Sequence, residues 1–321
     1  MPLKLPGRSS AGASVPPQTL QQWLLDTQKR FRSARLAYGH GTHNALDEAA
    51  WLLLHVMRLP HEDLEASLNR HLTDAEKRRA RILIDKRIND RLPLAYLLKE
   101  AWLGKNRFFV DRRVIVPRSY LAESLHAGMH PWITDSSSVK RALDLCTGSG
   151  CLAVLMAKTF AGARVDAVDL SAAALAVAKR NVSTFRLSDR VRLLKSDLFE
   201  GIGQARYDLI LSNPPYVTSR VMSSLPPEYR AEPALALAGG SDGLDLVRRI
   251  LQKAPGHLLA SGLLAMEIGH NRSALERSFP HVPFTWVATS GGEDCVFVLR
   301  REELQSLEKD GQRFHSKDRG I

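Results

Sequence analysis

The residues best placed to do chemistry are Asn213-Pro214-Pro215-Tyr216. They follow Tyr207-Asp208-Leu209-Ile210-Leu211-Ser212, an apolar run that reads as a buried strand. Proline lacks a ladder donor and drives the residue before it out of the helical region. Asn213 is therefore expected on a rigid shelf at the carboxyl end of a strand, where open α/β sheets bind ligands. The shelf offers the Asn213 side-chain oxygen, the Pro214 carbonyl and the flat ring of Tyr216. Two acceptors side by side suit a planar –NH2 group, which has two donors. The plain alternative is a strand-ending turn, for which Asn-Pro is ordinary.

A second constellation lies upstream. Asp144-Leu145-Cys146-Thr147-Gly148-Ser149-Gly150 joins a strand to a helix. Gly148 and Gly150 permit a tight turn and a close ligand. The helix that follows presents free N–H groups and the positive end of its dipole. No Gly-Lys-Ser/Thr follows, which excludes a P-loop. No third glycine stands at the dinucleotide position, which disfavours that ligand. Asp169 ends the next strand, about 20 residues on, where a carboxylate accepts ribose hydroxyls. Asp197-Leu198 follows the third strand, where an adenine edge could be read. Together these describe an adenosine site without phosphates. Taken singly, Asp169 and Asp197 are equally ordinary as helix caps or turn residues.

The elements that must position these groups follow from periodicity. Leu20, Trp23, Leu24, Thr27, Phe31 and Ala34 recur at helical spacing and predict a helix over 17–37. Asn44 can cap a second helix that Pro60 ends. His61–Asn69 reads as a short third helix. Thr73 and Glu76 form a capping-box pattern that opens a helix to Asp90. Its inner side is expected to carry Ile82, Leu83, Lys86 and Ile88. Its outer side would carry Lys77, Arg78, Arg79, Arg81 and Arg87, a solvated face or an RNA-facing one. Ala95–Leu98, Ala101–Leu103 and Arg107–Val110 read as a β-hairpin around Gly104-Lys105-Asn106. Val114–Val116 reads as another extended run, and Ser119 as the cap of a helix. From Lys140 strands alternate with helices, which predicts an α/β, doubly wound, mostly parallel sheet.

The chain has 321 residues, 44 % of them hydrophobic, enough for two domains with a substantial core. No apolar run reaches membrane-span length. The N-terminus lacks a secretory apolar stretch, so the expected compartment is cytoplasmic. Three cysteines, Cys146, Cys151 and Cys295, make neither a disulfide framework nor a metal cluster in sequence, and no metal is expected. The net charge of +11 favours a polyanionic partner or neighbourhood such as RNA.

Asp144–Gly150, Asp169, Asp197 and Asn213–Tyr216 together resemble class I S-adenosylmethionine-dependent methyltransferases that act on –NH2 nitrogens. Leu225–Pro233 and Ala236–Asp245 are similar to the segment after the catalytic motif in the HemK/PrmC/PrmB family of protein glutamine-N5 methyltransferases. Pro117-Arg118-Ser119 and Leu145–Cys151 are similar to the branch that modifies ribosomal protein L-three. Tyr120 departs from that branch, which often has proline there. The resemblance covers roughly residues 20–300.

It implies a Rossmann-like methyltransferase domain over 119–301, a helical substrate-recognition domain over 17–92 and a β-hairpin linker over 93–118. Residues 1–16 and 302–321 would be a disordered lead-in and a disordered charged tail. It implies S-adenosyl-L-methionine held by Asp144, Cys146, Thr147, Gly148, Ser149, Gly150, Asp169, Asp197, Leu198 and Asn213. The acceptor amide would be held by Asn213, Pro214, Pro215 and Tyr216, with Asn213, Pro214 and Tyr216 catalytic. Glu123 and Glu232 are expected near the pocket. Cys146 and Cys151 are expected to pack rather than react. The implied substrate is a glutamine of ribosomal protein L-three, and pre-ribosomal RNA nearby, bound through the basic surface, would explain the charge. A release factor, an adenine in nucleic acid, and a non-catalytic role in ribosome assembly remain as competing readings.

Overall fold

The computed structural model describes residues 17–304. They form two compact units. One comprises residues up to 36 together with 42–91, and the other comprises 37–41 together with the chain from 92 onward. The expected lead-in at 1–16 lies outside the described residues, as does the tail beyond 304.

The first unit is helical: α1 (Leu20–Ser33), α2 (Ala45–Met57), α3 (Leu64–Ser67) and α4 (Asp74–Asn89). Local chemistry starts each long helix. Thr19 and Gln22 make a capping box on α1, and Thr73 and Glu76 make another on α4. The Asn44 side chain accepts from the N–H groups of Leu46 and Asp47 on α2. Leu20, Trp23, Leu24 and Phe31 of α1 are buried, as are Leu52, Leu53 and Leu54 of α2.

The inner face of α4 departs from the sequence expectation. Ala80, Ile84 and Arg87 are the buried residues, while Ile82 is 56 % exposed. Arg87 therefore does not belong to an outer basic stripe. Its guanidinium is fully buried against Glu48, with Nε at 2.5 Å from the carboxylate. A buried charge persists only with such a partner, and this one stands 39 positions away in the chain. Arg78, Arg79 and Arg81 are exposed as expected.

Ala95–Leu98 lies in a short helix, α5 (Leu94–Leu98), not in a hairpin strand. A run of five apolar residues has no period to distinguish the two. The hairpin proper is β1 (Ala101–Leu103) with β2 (Asn106–Phe108), closed by a two-residue loop. Val114–Val116 takes no regular structure. The helix α6 (Leu121–His126) follows, and the Ser119 side chain does not cap it.

The sheet is built from β3 (Arg141–Leu145), β4 (Arg164–Asp169), β5 (Val191–Lys195), β6 (Tyr207–Ser212), β7 (Leu258–Glu267), β8 (Thr285–Thr289) and β9 (Gly292–Arg300). Their spatial order is β5-β4-β3-β6-β7-β9-β8. The first five strands are parallel, and β9 runs antiparallel to both β7 and β8. Strand order reverses between β3 and β6, which places a ligand crevice at their carboxyl ends.

Between strands run α7 (Cys151–Thr159), α8 (Ala172–Thr184), α9 (Ser219–Ser224), α10 (Pro227–Arg230), α11 (Asp245–His257) and α12 (Arg272–Ser278). One hydrophobic cluster joins α6, α7 and α8 to one face of the sheet. A second joins α11 and α12 to the other. Parallel strands covered on both faces read as continuous apolar runs, as Leu209-Ile210-Leu211 does. Residues 301–304 are helical and Leu304 is fully buried, so order continues past the expected boundary at 301. Among the described residues no helix is long and apolar enough to cross a membrane.

Candidate active site

The chain leaves β6 at the switch point. The Ser212 hydroxyl donates to the Leu145 carbonyl at 3.0 Å and ties the ends of β6 and β3 together. Asn213 is half-buried and Pro214 and Pro215 are buried. Among the described residues neither the Asn213 amide nor the Pro214 carbonyl has a hydrogen-bond partner. Both border a cavity of about 170 Å³, lined also by Ile115, Arg118, Pro215, Tyr216 and Tyr229.

Tyr216 is held on every side. Its hydroxyl donates to Glu267 at 3.3 Å, and its carbonyl accepts from the Asn271 side chain at 2.9 Å. A Cβ on Gly239 would sit 2.7 Å from the Tyr216 Cα and 2.9 Å from the Pro215 carbonyl, so only glycine fits there. Val217 donates to Leu237 and accepts from Gly239, each at 2.8 Å, which lays the Ala236–Gly240 segment beside the shelf.

Two buried carboxylates fasten residues 116–120 to this floor. Glu232 accepts two hydrogen bonds from Arg118, at 2.7 and 2.6 Å, and one from the Val116 N–H at 2.8 Å. Burial disfavours its charge, but the hydrogen bonds and charge of Arg118 prevail and hold its pKa at about 2. Glu267, at the end of β7, accepts from the Ser119 hydroxyl at 2.7 Å and the Tyr120 N–H at 2.8 Å. Burial pushes its pKa up to about 7 against those hydrogen bonds. Ser119 thus binds Glu267 where the sequence predicted a helix cap.

The neighbouring cavity, about 320 Å³, is lined by Cys146, Gly148, Asp169, Asp197 and Leu198 and shares Ile115, Pro215 and Ala236 with the first. Asp169 accepts from the N–H groups of Gly148 and Ser171, both at 2.8 Å. Each carboxylate oxygen keeps a second lone pair for a ligand hydroxyl. Burial raises the Asp169 pKa. Asp197 is half-exposed and accepts from Arg249 of α11 at 2.8 Å. Cys146 stands at φ 60°, a left-handed conformation that glycine would favour, and burial pushes its thiol pKa up.

Other residues of the loop work from behind. Asp144 is fully buried, and its Oδ2 accepts from the Thr147 hydroxyl at 2.5 Å and the Ala153 N–H at 3.0 Å. Burial raises its pKa to about 7. Gly150 takes φ 77°, and a Cβ there would meet Ala178 of α8 at 3.0 Å. Asp144, Thr147, Ser149 and Gly150 therefore shape the loop, while Cys146 and Gly148 face the cavity.

The structure adds residues that sequence reasoning missed. Asn181 of α8 is buried and donates to the carbonyls of Phe109 and Ser149, while accepting from the Phe109 N–H. It fastens the loop to the segment after the hairpin. Glu267 and Arg249 were also not foreseen. Helical spacing flags none of them, because each acts across elements. Glu232 lines neither cavity but is buried behind Arg118, which borders the smaller one. Glu123 instead accepts from the N–H and hydroxyl of Ser290 at the surface.

The shelf thus carries two unpartnered acceptors on one cavity and adjoins a second, larger cavity. Comparison with known proteins shows the family. Residues 131–225 match the family model described as Methyltransferase small domain, and residues 22–98 match PrmC N-terminal domain. The chain is 52 % identical to the ribosomal protein uL3 glutamine methyltransferase of Bordetella pertussis, covering 90 % of this chain and 97 % of that one. It is 49 % identical to the protein of that name from Neisseria meningitidis serogroup A, over 89 % of this chain and 94 % of that one. It is 45 % identical to that of Burkholderia pseudomallei, over 91 % and 98 %. The chain belongs to the family of ribosomal protein uL3 glutamine methyltransferases.

Proposed function

We propose that this chain methylates the side-chain N5 of a glutamine in ribosomal protein uL3, with S-adenosyl-L-methionine as donor. The observation that carries the reading is the seam between the two cavities. The smaller cavity is bordered by Asn213 and Pro214 and shares Ile115, Pro215 and Ala236 with the larger, and neither the Asn213 amide nor the Pro214 carbonyl has a hydrogen-bond partner among the described residues. The larger cavity fits the donor: Asp169 has lone pairs for ribose hydroxyls, Leu198 and Pro215 are apolar walls, and Gly148 leaves its face open. When bound there, S-adenosyl-L-methionine supplies an electrophilic methyl group on a sulfonium.

An amide nitrogen is a poor nucleophile because its lone pair is delocalised into the carbonyl. The Asn213 Oδ1 and the Pro214 oxygen would accept the two amide N–H bonds and aim the lone pair at the donor cavity. Both acceptors stabilise the positive charge that develops on nitrogen, at no cost of reorganisation. The methylated nitrogen then sheds one proton and returns to a neutral amide, so no strong base is needed before transfer. Tyr216, fixed by Glu267 and Asn271, is the wall against which the flat amide would lie. Arg118, clamped by Glu232, borders the same cavity and limits its width.

The test is transfer of a labelled methyl group to isolated uL3, a peptide release factor and unmethylated DNA in parallel, with the mark located by mass spectrometry. Label on one uL3 glutamine is expected. Label on the release factor alone, or on DNA alone, overturns the substrate assignment.

A further inference from the structure

The chain carries a cluster of metal-ligating side chains outside the site described above. His270 lies just after β7, and Asp294 and Cys295 lie in β9. In sequence they are 24 and 25 residues apart and show no ligand spacing. Pairing of β7 with β9 brings them together: Glu267 is opposite Val296, and the Ile268 N–H donates to the Cys295 carbonyl at 2.8 Å. The His270 Nδ1 lies 3.2 Å from an Asp294 carboxylate oxygen and 3.7 Å from the Cys295 sulfur. The sulfur lies 3.6 Å from the other Asp294 oxygen. One ligand atom from each residue falls within a single 4.8 Å group.

We propose that His270, Asp294 and Cys295 form a binding site for a borderline-soft divalent cation of the zinc type. Zinc bonds to nitrogen, sulfur and oxygen run about 2.0–2.3 Å, so neighbouring ligand atoms of a tetrahedron stand about 3.2–3.6 Å apart. The nitrogen–oxygen separation of 3.2 Å and the sulfur–oxygen separation of 3.6 Å, to different oxygens of Asp294, fall in that range, and the nitrogen–sulfur separation of 3.7 Å lies just beyond it. Imidazole and thiolate select zinc over magnesium or calcium, which prefer oxygen cages. Two of the ligands sit on one paired strand, and the third lies three residues past the end of the neighbouring strand. Cys295 is buried beneath the cluster, while the His270 and Asp294 side chains are 76 % and 42 % exposed. The fourth coordination position therefore opens to water, and the cation has an entry path.

The cluster is coupled to the catalytic floor. Gly269, the residue before His270, packs on the Tyr216 ring, and a Cβ there would come within 2.7 Å of the ring edge. A cation on His270 would fix the turn from β7 to α12 that supports Tyr216. The inference does not depend on which acceptor the enzyme uses.

The experiment is titration of the full reduced chain with Co²⁺, followed by displacement with Zn²⁺. One equivalent per chain is expected, with tetrahedral ligand-field bands and a thiolate-to-cobalt charge-transfer band that Zn²⁺ abolishes. Cys295→Ala should remove the charge-transfer band. His270→Ala changes an exposed side chain, leaves the fold intact, and should weaken binding at least about 10-fold. The same titration on Cys146→Ala should be unchanged. Absence of the band in the unaltered chain, its survival in Cys295→Ala, or unchanged affinity in His270→Ala overturns the proposal. His270 and Asp294 would then be an ordinary surface pair beside a buried thiol.

Discussion

Replacing Glu232 by glutamine is the sharpest probe of how residues 116–120 are held over the shelf. The isosteric change keeps the volume and one acceptor oxygen but presents an NH2 group to the guanidinium of Arg118. The wild-type carboxyl has a folded pKa of about 2 against an unfolded value of 4.5. At 1.36 kcal/mol per pKa unit, that difference contributes about 3 kcal/mol to stability at neutral pH. Its folded value is depressed, so the contribution is present above pH 4.5 and is lost as pH falls towards 2. Breaking a buried pair by removing one partner costs a similar 3–5 kcal/mol. The assay is urea unfolding of both proteins at a series of pH values. Glu232→Gln is expected to lose about 3 kcal/mol at pH 7 and to converge on the wild type as the medium is acidified below 4.5. A loss under about 1 kcal/mol at neutral pH, or a gap that does not narrow in acid, would refute the reasoning.

Four further outcomes are expected. Asn213→Ala should cut turnover about 10²–10³-fold with donor affinity nearly unchanged, measured by methyl transfer and by calorimetric titration of the cofactor. Asp169→Ala should weaken cofactor binding by about 1.5–3 kcal/mol, roughly 10- to 100-fold, because it loses charged acceptors for hydroxyls; an unchanged dissociation constant would place the ribose elsewhere. Gly239→Ala should destabilise the chain by about 1–3 kcal/mol, since the new methyl meets the Tyr216, Gly243 and Pro215 backbone within 2.9 Å; thermal melting checks it. Asp144 has its folded pKa raised from 3.8 to about 7, so the folded chain binds its proton more tightly and stability falls as pH rises through that window; Asp144→Asn should flatten this part of the profile.

What could be read from the sequence was local. Asn213–Tyr216 and Asp144–Gly150 are contiguous stretches whose backbone constraints are written in proline and glycine, and their places at strand ends follow from the apolar runs before them. The Thr73–Glu76 cap needs only four residues, and the structure has it. Pairings between distant residues were not legible. Arg87 reads as solvated because basic neighbours surround it, and only Glu48 across the helical unit makes its burial tolerable. Ser119 reads as a cap because serine often is one, yet a buried acceptor 148 positions away claims its hydroxyl. Leu94–Leu98 is too short for its period to be distinctive, so its helix was missed.

The split of the first unit at residues 37–41 bears on how such an enzyme could be cut or recombined. Those five residues are interrupted from the rest of their own unit by half a hundred helical ones. Yet the Ala37 N–H donates to Glu228 at 3.1 Å, and the Tyr38 carbonyl accepts from the Tyr229 hydroxyl at 3.0 Å. Both acceptor and donor lie in the segment that carries Glu232. A catalytic fragment starting at residue 92 would forfeit these bonds, although the break falls between the two units. The helical unit is thus no simple appended module, because five residues of its neighbour interrupt its chain. Swapping it between relatives would need three junctions, one on each side of residues 37–41 and one after residue 91, rather than a single splice.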